Sequence, residues 1–145
     1  MLLKGENSES GRSMIEILGV LALMAFLTVG AFVLIHTGMT MQKRSEIMDR
    51  ISEITTGVRA LYADYDNLPT SFDGAKTLSA LSIETTGPDD VTFSVAKDTS
   101  NAKQFIVSVT NLSADECDVL AAKAWTGSVN GATCSSTTLT ITYKK

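Results

Sequence analysis

The stretch ILGVLALMAFLTVGAFVLI, residues 17–35, decides the N-terminal part of the fold, because none of its 19 consecutive residues carries a formal charge. A helix needs about 20 mostly apolar residues to cross the hydrocarbon core of a bilayer, so this run is just long enough. A cleaved secretory signal would have a shorter apolar core and then a small-residue cleavage site, and neither Gly30 nor Gly38 makes a persuasive one. We therefore expect the segment to be retained as a membrane-spanning helix.

The net charge of the chain is small, and its charged residues are scattered along the sequence. The formal net charge is −4 and the basic residues form no stripe, so direct binding of nucleic acid is not expected. The positive-inside comparison does not orient the segment, because basic residues flank it on both sides: Lys4 and Arg12 before it, and His36, Lys43 and Arg44 after it.

An amphipathic helix is predicted to continue the apolar segment. Apolar residues recur at alternating spacings of four and three, which places them on one helical face: Ile47, Ile51, Ile54, Val58, Leu61 and Tyr65. The charged residues between them are expected to be solvated: Lys43, Arg44, Glu46, Asp49, Arg50, Glu53 and Arg59. Because no proline precedes Pro69, both parts can form one helix that ends at about residue 66.

The rest of the chain carries the signals of a small antiparallel sheet. Apolar and polar residues alternate with the period of a strand at three places: 91–95, 105–109 and 139–143. A short helical turn is predicted at 76–81. Together with the long helix, these elements predict an α+β fold in which the N-terminal helix packs on the sheet.

A second short helix is predicted between the last two strands. Ser113 and Glu116 have the spacing of a capping box, and the helix is expected to reach about Trp125. Its apolar side is predicted to consist of Val119, Leu120 and Ala124. Residues 126–136, rich in Gly, Ser, Asn and Thr, are predicted to form a loop.

The two cysteines, Cys117 and Cys134, both lie in this C-terminal part. Paired, they would close a loop of about 18 residues and stabilise the fold by roughly 3 kcal/mol in the chain-entropy model. Such a disulfide would pin the helix to the edge of the sheet, and it favours an oxidising compartment outside the cytoplasm. Two reduced structural thiols are the alternative.

No arrangement of residues points to catalysis, a metal or a cofactor. The single histidine, His36, is distant in sequence from both cysteines, which argues against a nucleophile–base pair and against a four-ligand zinc site. Two acidic clusters, 89–90 and 115–118, are better explained as turn formers and helix N-terminal charges than as weak calcium ligands. We therefore expect a protein that is not an enzyme and that binds no cofactor.

Glu16 is the carboxylate that immediately precedes the apolar run. An unpaired carboxylate in hydrocarbon costs at least a few kcal/mol, so such groups are usually paired or lie near the interface. Glu16 either sits at the level of the lipid headgroups or has a positive partner. Within one chain, Arg12 at position i−4 is the nearest candidate.

Gly11, the following RSMIE at residues 12–16 and the uniform apolar run together resemble the signal of type IV prepilins and their relatives. The resemblance covers about residues 5–40. The C-terminal region is similar to type IVb-like pilins, in which a helix bearing a cysteine precedes the last strand. One departure is Arg12, because the first mature residue in that family is commonly Phe or Met.

This resemblance implies a processed subunit. A prepilin peptidase would cut between Gly11 and Arg12 and methylate the new amine of Arg12, and Glu16 would pair with that amine on a neighbouring copy. It also implies a leader at 1–11, a long helix at 12–66 whose residues 12–40 lie in the membrane or the filament core, and a head at 67–145. The expected partners are other copies of the chain, the peptidase, inner-membrane assembly machinery and, before assembly, the membrane.

The expected location is the bacterial inner membrane as a precursor and an extracellular pilus afterwards. A minor pilin or a type II secretion pseudopilin would share the N-terminal motif. A membrane-anchored extracytoplasmic binding domain that never polymerises is an alternative of another class, and an anchored enzyme is a third.

Overall fold

The computed structural model describes the backbone of residues 6–145 and the side chains of residues 13–145. Two compact units are distinguished, Met1–Met41, here called the stem, and Gln42–Lys145, here called the head. The first helix, α1, runs over Glu6–Leu61 and contributes to both units. Residues 1–5 of the expected leader lie outside the described residues.

Helix α1 ends at Leu61, earlier than the predicted end at about residue 66. The first four positions of the apolar face, Ile47, Ile51, Ile54 and Val58, are fully buried, whereas Leu61 and Tyr65 are 44 % and 53 % exposed. The helix ends there because the chain turns at residues 62–64 to bring Leu68 into the core. Tyr65 therefore lies beyond the helix, and the prediction that it continues the helical apolar face was wrong.

Four antiparallel strands form one sheet in the order β1-β2-β4-β3. They are β1 (Thr92–Lys97), β2 (Gln104–Thr110), β3 (Ser128–Ser135) and β4 (Thr138–Lys144). The predicted strands correspond to β1, β2 and β4. The predicted loop at 126–136 is wrong, because most of it is the edge strand β3, whose small and largely exposed residues alternate too weakly to predict a strand.

Two short helices accompany the sheet, α2 at Gly74–Ala80 and α3 at Ala114–Ala122. The capping box of α3 is confirmed, since Ser113 Oγ accepts from the Glu116 amide at 3.3 Å and the Glu116 carboxylate accepts from the Ser113 amide at 3.2 Å. The predicted extension to Trp125 is wrong.

The buried side of α3 also differs from the prediction. Cys117 and Leu120 are buried, but Val119 is 48 % exposed and Ala124 is exposed. The cysteine takes the core position because its sulfur is bonded to a strand of the sheet. Val119 and Ala124 were therefore wrongly placed, and of the three predicted residues only Leu120 packs inward.

The core of the head lies between one face of α1 and one face of the sheet. Alternate strand residues point toward the helix and are buried: Phe93, Val95, Phe105, Val107, Val109, Leu139, Ile141 and Tyr143. Every member of the core cluster lies between residues 47 and 143, so the head has a hydrophobic core of its own. This confirms the α+β fold with a long N-terminal helix and a small antiparallel sheet.

The disulfide between Cys117 and Cys134 is confirmed. It joins α3 to the edge strand β3 with a Cα–Cα distance of 5.7 Å. Since β3 has a strand neighbour on one side only, the covalent bond secures one of the two edges of the sheet.

Two glycines differ in how closely a neighbouring element approaches them. A Cβ on Gly74, the first residue of α2, would stand 1.7 Å from the Val95 carbonyl oxygen, whereas one on Gly57 of α1 would meet only the flexible end of Leu81 at 2.7 Å. We expect Gly74→Ala to lower the free energy of unfolding by about 3 kcal/mol, as overpacking against backbone does. Gly57→Ala gains up to about 1 kcal/mol of helix propensity and is expected to be nearly neutral.

Denaturant unfolding of the full chain in detergent, followed by the fluorescence of Trp125, the only tryptophan, measures both variants. Equal stability of the two variants would contradict the close contact between α2 and β1.

Candidate membrane and assembly segment

The stem presents apolar side chains on all sides. Seventeen large apolar residues between Met14 and Met41 are 56–81 % exposed, and they include the consecutive pairs 17–18, 20–21 and 23–24. Because successive residues of a helix point about 100° apart, these positions surround its circumference. A helix that is apolar all round is normally covered by lipid or by other protein.

This segment meets the requirements of a membrane-crossing helix. Among the described residues, one helix is long and apolar enough to span a bilayer, which suits a membrane anchor or a signal segment. Its hydroxyl groups are satisfied internally: Thr28 donates to the Met24 and Ala25 carbonyls, Thr37 to the Val33 carbonyl at 2.9 Å and Thr40 to the His36 carbonyl at 2.9 Å. No water is needed to bond these three groups.

Glu16 lies exposed on this stem. It borders a shallow groove of about 300 Å³ whose other walls are Ser13, Ile17, Val20 and Leu21. None of the ion pairs found among the described residues includes Glu16. Its carboxylate is therefore placed where an adjoining molecule can reach it.

The expected processing site precedes this groove. Gly11 lies within the backbone of α1, and the side chain of Arg12 lies outside the described residues. Cleavage between these two residues, and the pairing of Glu16 with an amine, stay predictions.

The head begins with an ion-pair network that the sequence did not predict. Lys43 Nζ lies 2.9 Å from Asp89 Oδ2 and 3.2 Å from Glu116 Oε1. Its side chain is only 16 % exposed, so the prediction that Lys43 is solvated was wrong. The ammonium joins α1 to the turn at 88–90 and to the first turn of α3, two segments more than 40 residues away along the chain.

The pKa shifts in this network follow from burial and from the ion pairs. Burial lowers the pKa of Lys43, but hydrogen bonds to Asp89 and Glu116 outweigh it and raise that pKa above its ordinary value. Burial likewise raises the pKa of Glu116, and the bonds from Ser113 and Lys43 outweigh it, so that the Glu116 pKa is lowered. Both charges therefore stabilise the folded head at neutral pH.

Two further cations are held against the head instead of being solvated. The Arg50 guanidinium donates to the Glu84 carbonyl at 3.2 Å and lies 5.9 Å from the centre of the Phe93 ring. The Arg59 guanidinium donates to the Lys144 carbonyl at 2.9 Å and lies 5.8 Å from the centre of the Tyr143 ring. The prediction of a solvated charged face was wrong for these arginines.

The carboxylates of the same face behave as predicted. Glu46, Asp49 and Glu53 are all exposed. The contrast has a physical cause, because the long side chains of Lys and Arg reach past the edge of the apolar stripe to carbonyls and rings, whereas Asp and Glu do not.

The acidic clusters considered as calcium ligands each contribute one carboxylate to the Lys43 network instead. Glu116 is committed to its cap and to Lys43, and Asp89 also pairs with Lys43. In the part of the chain that the structure describes, no group of three or more His, Cys, Asp or Glu residues is arranged to hold a metal ion.

Comparison of the chain with protein-family models, curated proteins and solved structures finds no match.

Acid should weaken the Lys43 network in a predictable direction. The stabilisation from Glu116 is present above its unfolded pKa of about 4.3 and is lost as the pH falls through its lowered folded pKa. We expect Glu116→Gln, which keeps a capping group, to lose about 1.5 kcal/mol of stability at pH 7.

The same variant should depend less on pH than the unsubstituted chain between pH 5 and pH 3. Thermal unfolding of both chains across that interval measures this, with Asp118→Asn, a change of an exposed carboxylate on the same helix, as the matched control. Parallel losses in the Glu116→Gln and unsubstituted chains would contradict the assignment.

Proposed function

We propose that this protein is the precursor of a structural subunit of a type IV pilus, anchored in a membrane by its stem and polymerised through the same stem. The observation that carries the proposal is an apolar surface exposed on all sides of the stem, interrupted near its start by one carboxylate, Glu16. The resemblance at residues 11–16 supports it.

The stem needs a partner on energetic grounds. Covering a Val, Leu, Ile, Phe or Met side chain contributes about 1.5–3 kcal/mol, so covering 17 such groups is worth roughly 25 kcal/mol or more. The core of the head lies entirely between residues 47 and 143 and does not provide this cover. Lipid provides it before assembly, and the stems of other copies provide it in a filament.

Glu16 supplies the specificity that apolar packing lacks. Apolar stems can slide past one another at little cost, whereas a carboxylate in a dry bundle must meet a positive group. The amine created by cleavage after Gly11 on an adjacent copy is such a group. A wrong axial register would leave both charges unpaired and cost several kcal/mol, which restricts assembly to one register.

The head suits the outside of such a fibre. The Cys117–Cys134 disulfide favours an oxidising location beyond the cytoplasm. The sheet face turned away from α1 carries Ser94, Ser108, Thr140 and Thr142, which are compatible with solvent. In this proposal the protein is structural and performs no chemistry.

Processing is tested by mass spectrometry of the protein purified from cells that contain a prepilin peptidase. We expect a chain that starts at N-methylated Arg12, because the cleavage signal precedes the apolar run. A Gly11→Val variant is the control and should retain Met1. An intact Met1 in the unsubstituted chain, or a cut after residue 35, would contradict the proposal.

Assembly is tested by Glu16→Gln, which removes the charge and keeps the size of the side chain. We expect the variant to be inserted and processed normally but to yield at least tenfold fewer filaments, because the amine of the adjoining copy then lacks its counter-charge. Sheared filaments are quantified by gel and by electron microscopy. Thr28→Val, another loss of a polar group in the stem, should assemble normally.

Filaments that form normally with Glu16→Gln would contradict the role of the carboxylate. A processed chain that never leaves the membrane and works as a single copy would favour an anchored binding domain. Low abundance in sheared filaments would favour a minor pilin or a pseudopilin.

A further inference from the structure

The two flanks of α1 in the head have opposite electrostatic character. One flank lines an open groove of about 600 Å³ between α1 and residues 82–84. Four exposed carboxylates surround it against a single guanidinium, that of Arg50: Glu46, Asp49, Glu53 and Glu84. Among the described residues, Asp49 and Glu53 form no ion pair.

The other flank is basic and aromatic. A second cavity of about 240 Å³ lies between α1 and residues 123–126, and no carboxylate lines it. Lys123 Nζ lies 4.9 Å from the centre of the Trp125 ring and 2.8 Å from Met48 Sδ, and none of the ion pairs in the described part of the chain includes Lys123. Arg59 and Tyr143 also line this cavity. Trp125 is partly exposed beside the Lys123 ammonium, and tryptophan is one of the residue types that most often anchor protein partners.

The two flanks stand at the same level of the helix. Lys123 of the basic flank contacts Met48 of α1. Met48 is adjacent to Asp49 in sequence, and Glu53 lies five residues further along the helix, which is a rise of about 7.5 Å. Two parallel copies placed side by side with a small axial step therefore bring Lys123 of one copy opposite Asp49 and Glu53 of the next.

We propose that these flanks bind each other between adjacent copies of the chain, with the acidic groove of one head receiving the Lys123–Trp125 flank of its neighbour. This rests on the proposed filament and specifies how its heads meet. Because the two surfaces differ, the contact is heterologous, and with a small axial step between successive copies it repeats without closing, as a filament requires. Opposite charges set the order of the copies, and like flanks repel.

A second copy is the occupant that the charges favour. The flanks are complementary to each other on one molecule, so every subunit carries both halves of the contact. An exposed pair is worth little by itself, but the contact recurs at each subunit of a filament, and its effect on assembly accumulates.

Charge reversal tests the contact. Asp49→Lys/Glu53→Lys places two ammonium groups opposite Lys123, and Lys123→Glu places a carboxylate opposite two carboxylates. We expect either change to reduce the yield of sheared filaments at least tenfold and the combination of all three to restore it to within threefold of the unsubstituted chain. The controls alter net charge equally elsewhere on the exposed surface: Asp64→Lys/Asp66→Lys and Lys103→Glu.

Trp125 fluorescence and the mass of the N terminus verify folding and processing of each variant. Loss in both reversed variants, restoration in their combination and normal assembly of the controls support the contact. Normal assembly of either reversed variant, or no restoration in the combination, overturns it while leaving the pilus proposal intact. If the unsubstituted chain forms no filaments at all, the proposed function fails and the contact fails with it.

Discussion

The apolar surface of the stem is the constraint on which the rest of this protein depends. Its large side chains are more than half exposed around the whole helix, and the core of the head lies elsewhere in the chain. A surface of this kind is stable only when lipid or other protein covers it. The proposed role of Glu16 depends on the same constraint, because a carboxylate is costly only where water is excluded.

In the head, the same helix has one face to bury and packs that face on the sheet. From Ile47 onward α1 is apolar on one face only, and that face is buried against the sheet. Lys43 marks the start of this part, where its ammonium holds the turn at 88–90 and the capped end of α3. One edge of this small sheet, β3, is joined covalently to α3 by the Cys117–Cys134 bond.

Much of the fold could be predicted because its signals are local. Each of these signals predicts a structure from residues within a single segment. They are the apolar stripe from Ile47 to Val58, the alternation in β1, β2 and β4, and the Ser113–Glu116 spacing. Strand β3 was not predicted because an exposed edge strand of small residues does not need to alternate apolar with polar residues. Glu16 was singled out from its setting, and its role stays a prediction, whereas the Lys43 network was missed because Asp89 and Glu116 are distant in sequence.

By itself the sequence determined where the apolar stem lies, which face of α1 is buried in the head and which cysteines are available to pair, since composition and periodicity fix these properties within a segment. Only the tertiary structure decided where α1 ends, that β3 joins the sheet and that Lys43, Arg50 and Arg59 fold back onto the head. It also decided that the carboxylates and Lys123 occupy opposite flanks of α1. These outcomes depend on which groups face each other across space, and that is set by the packing of segments far apart in the chain.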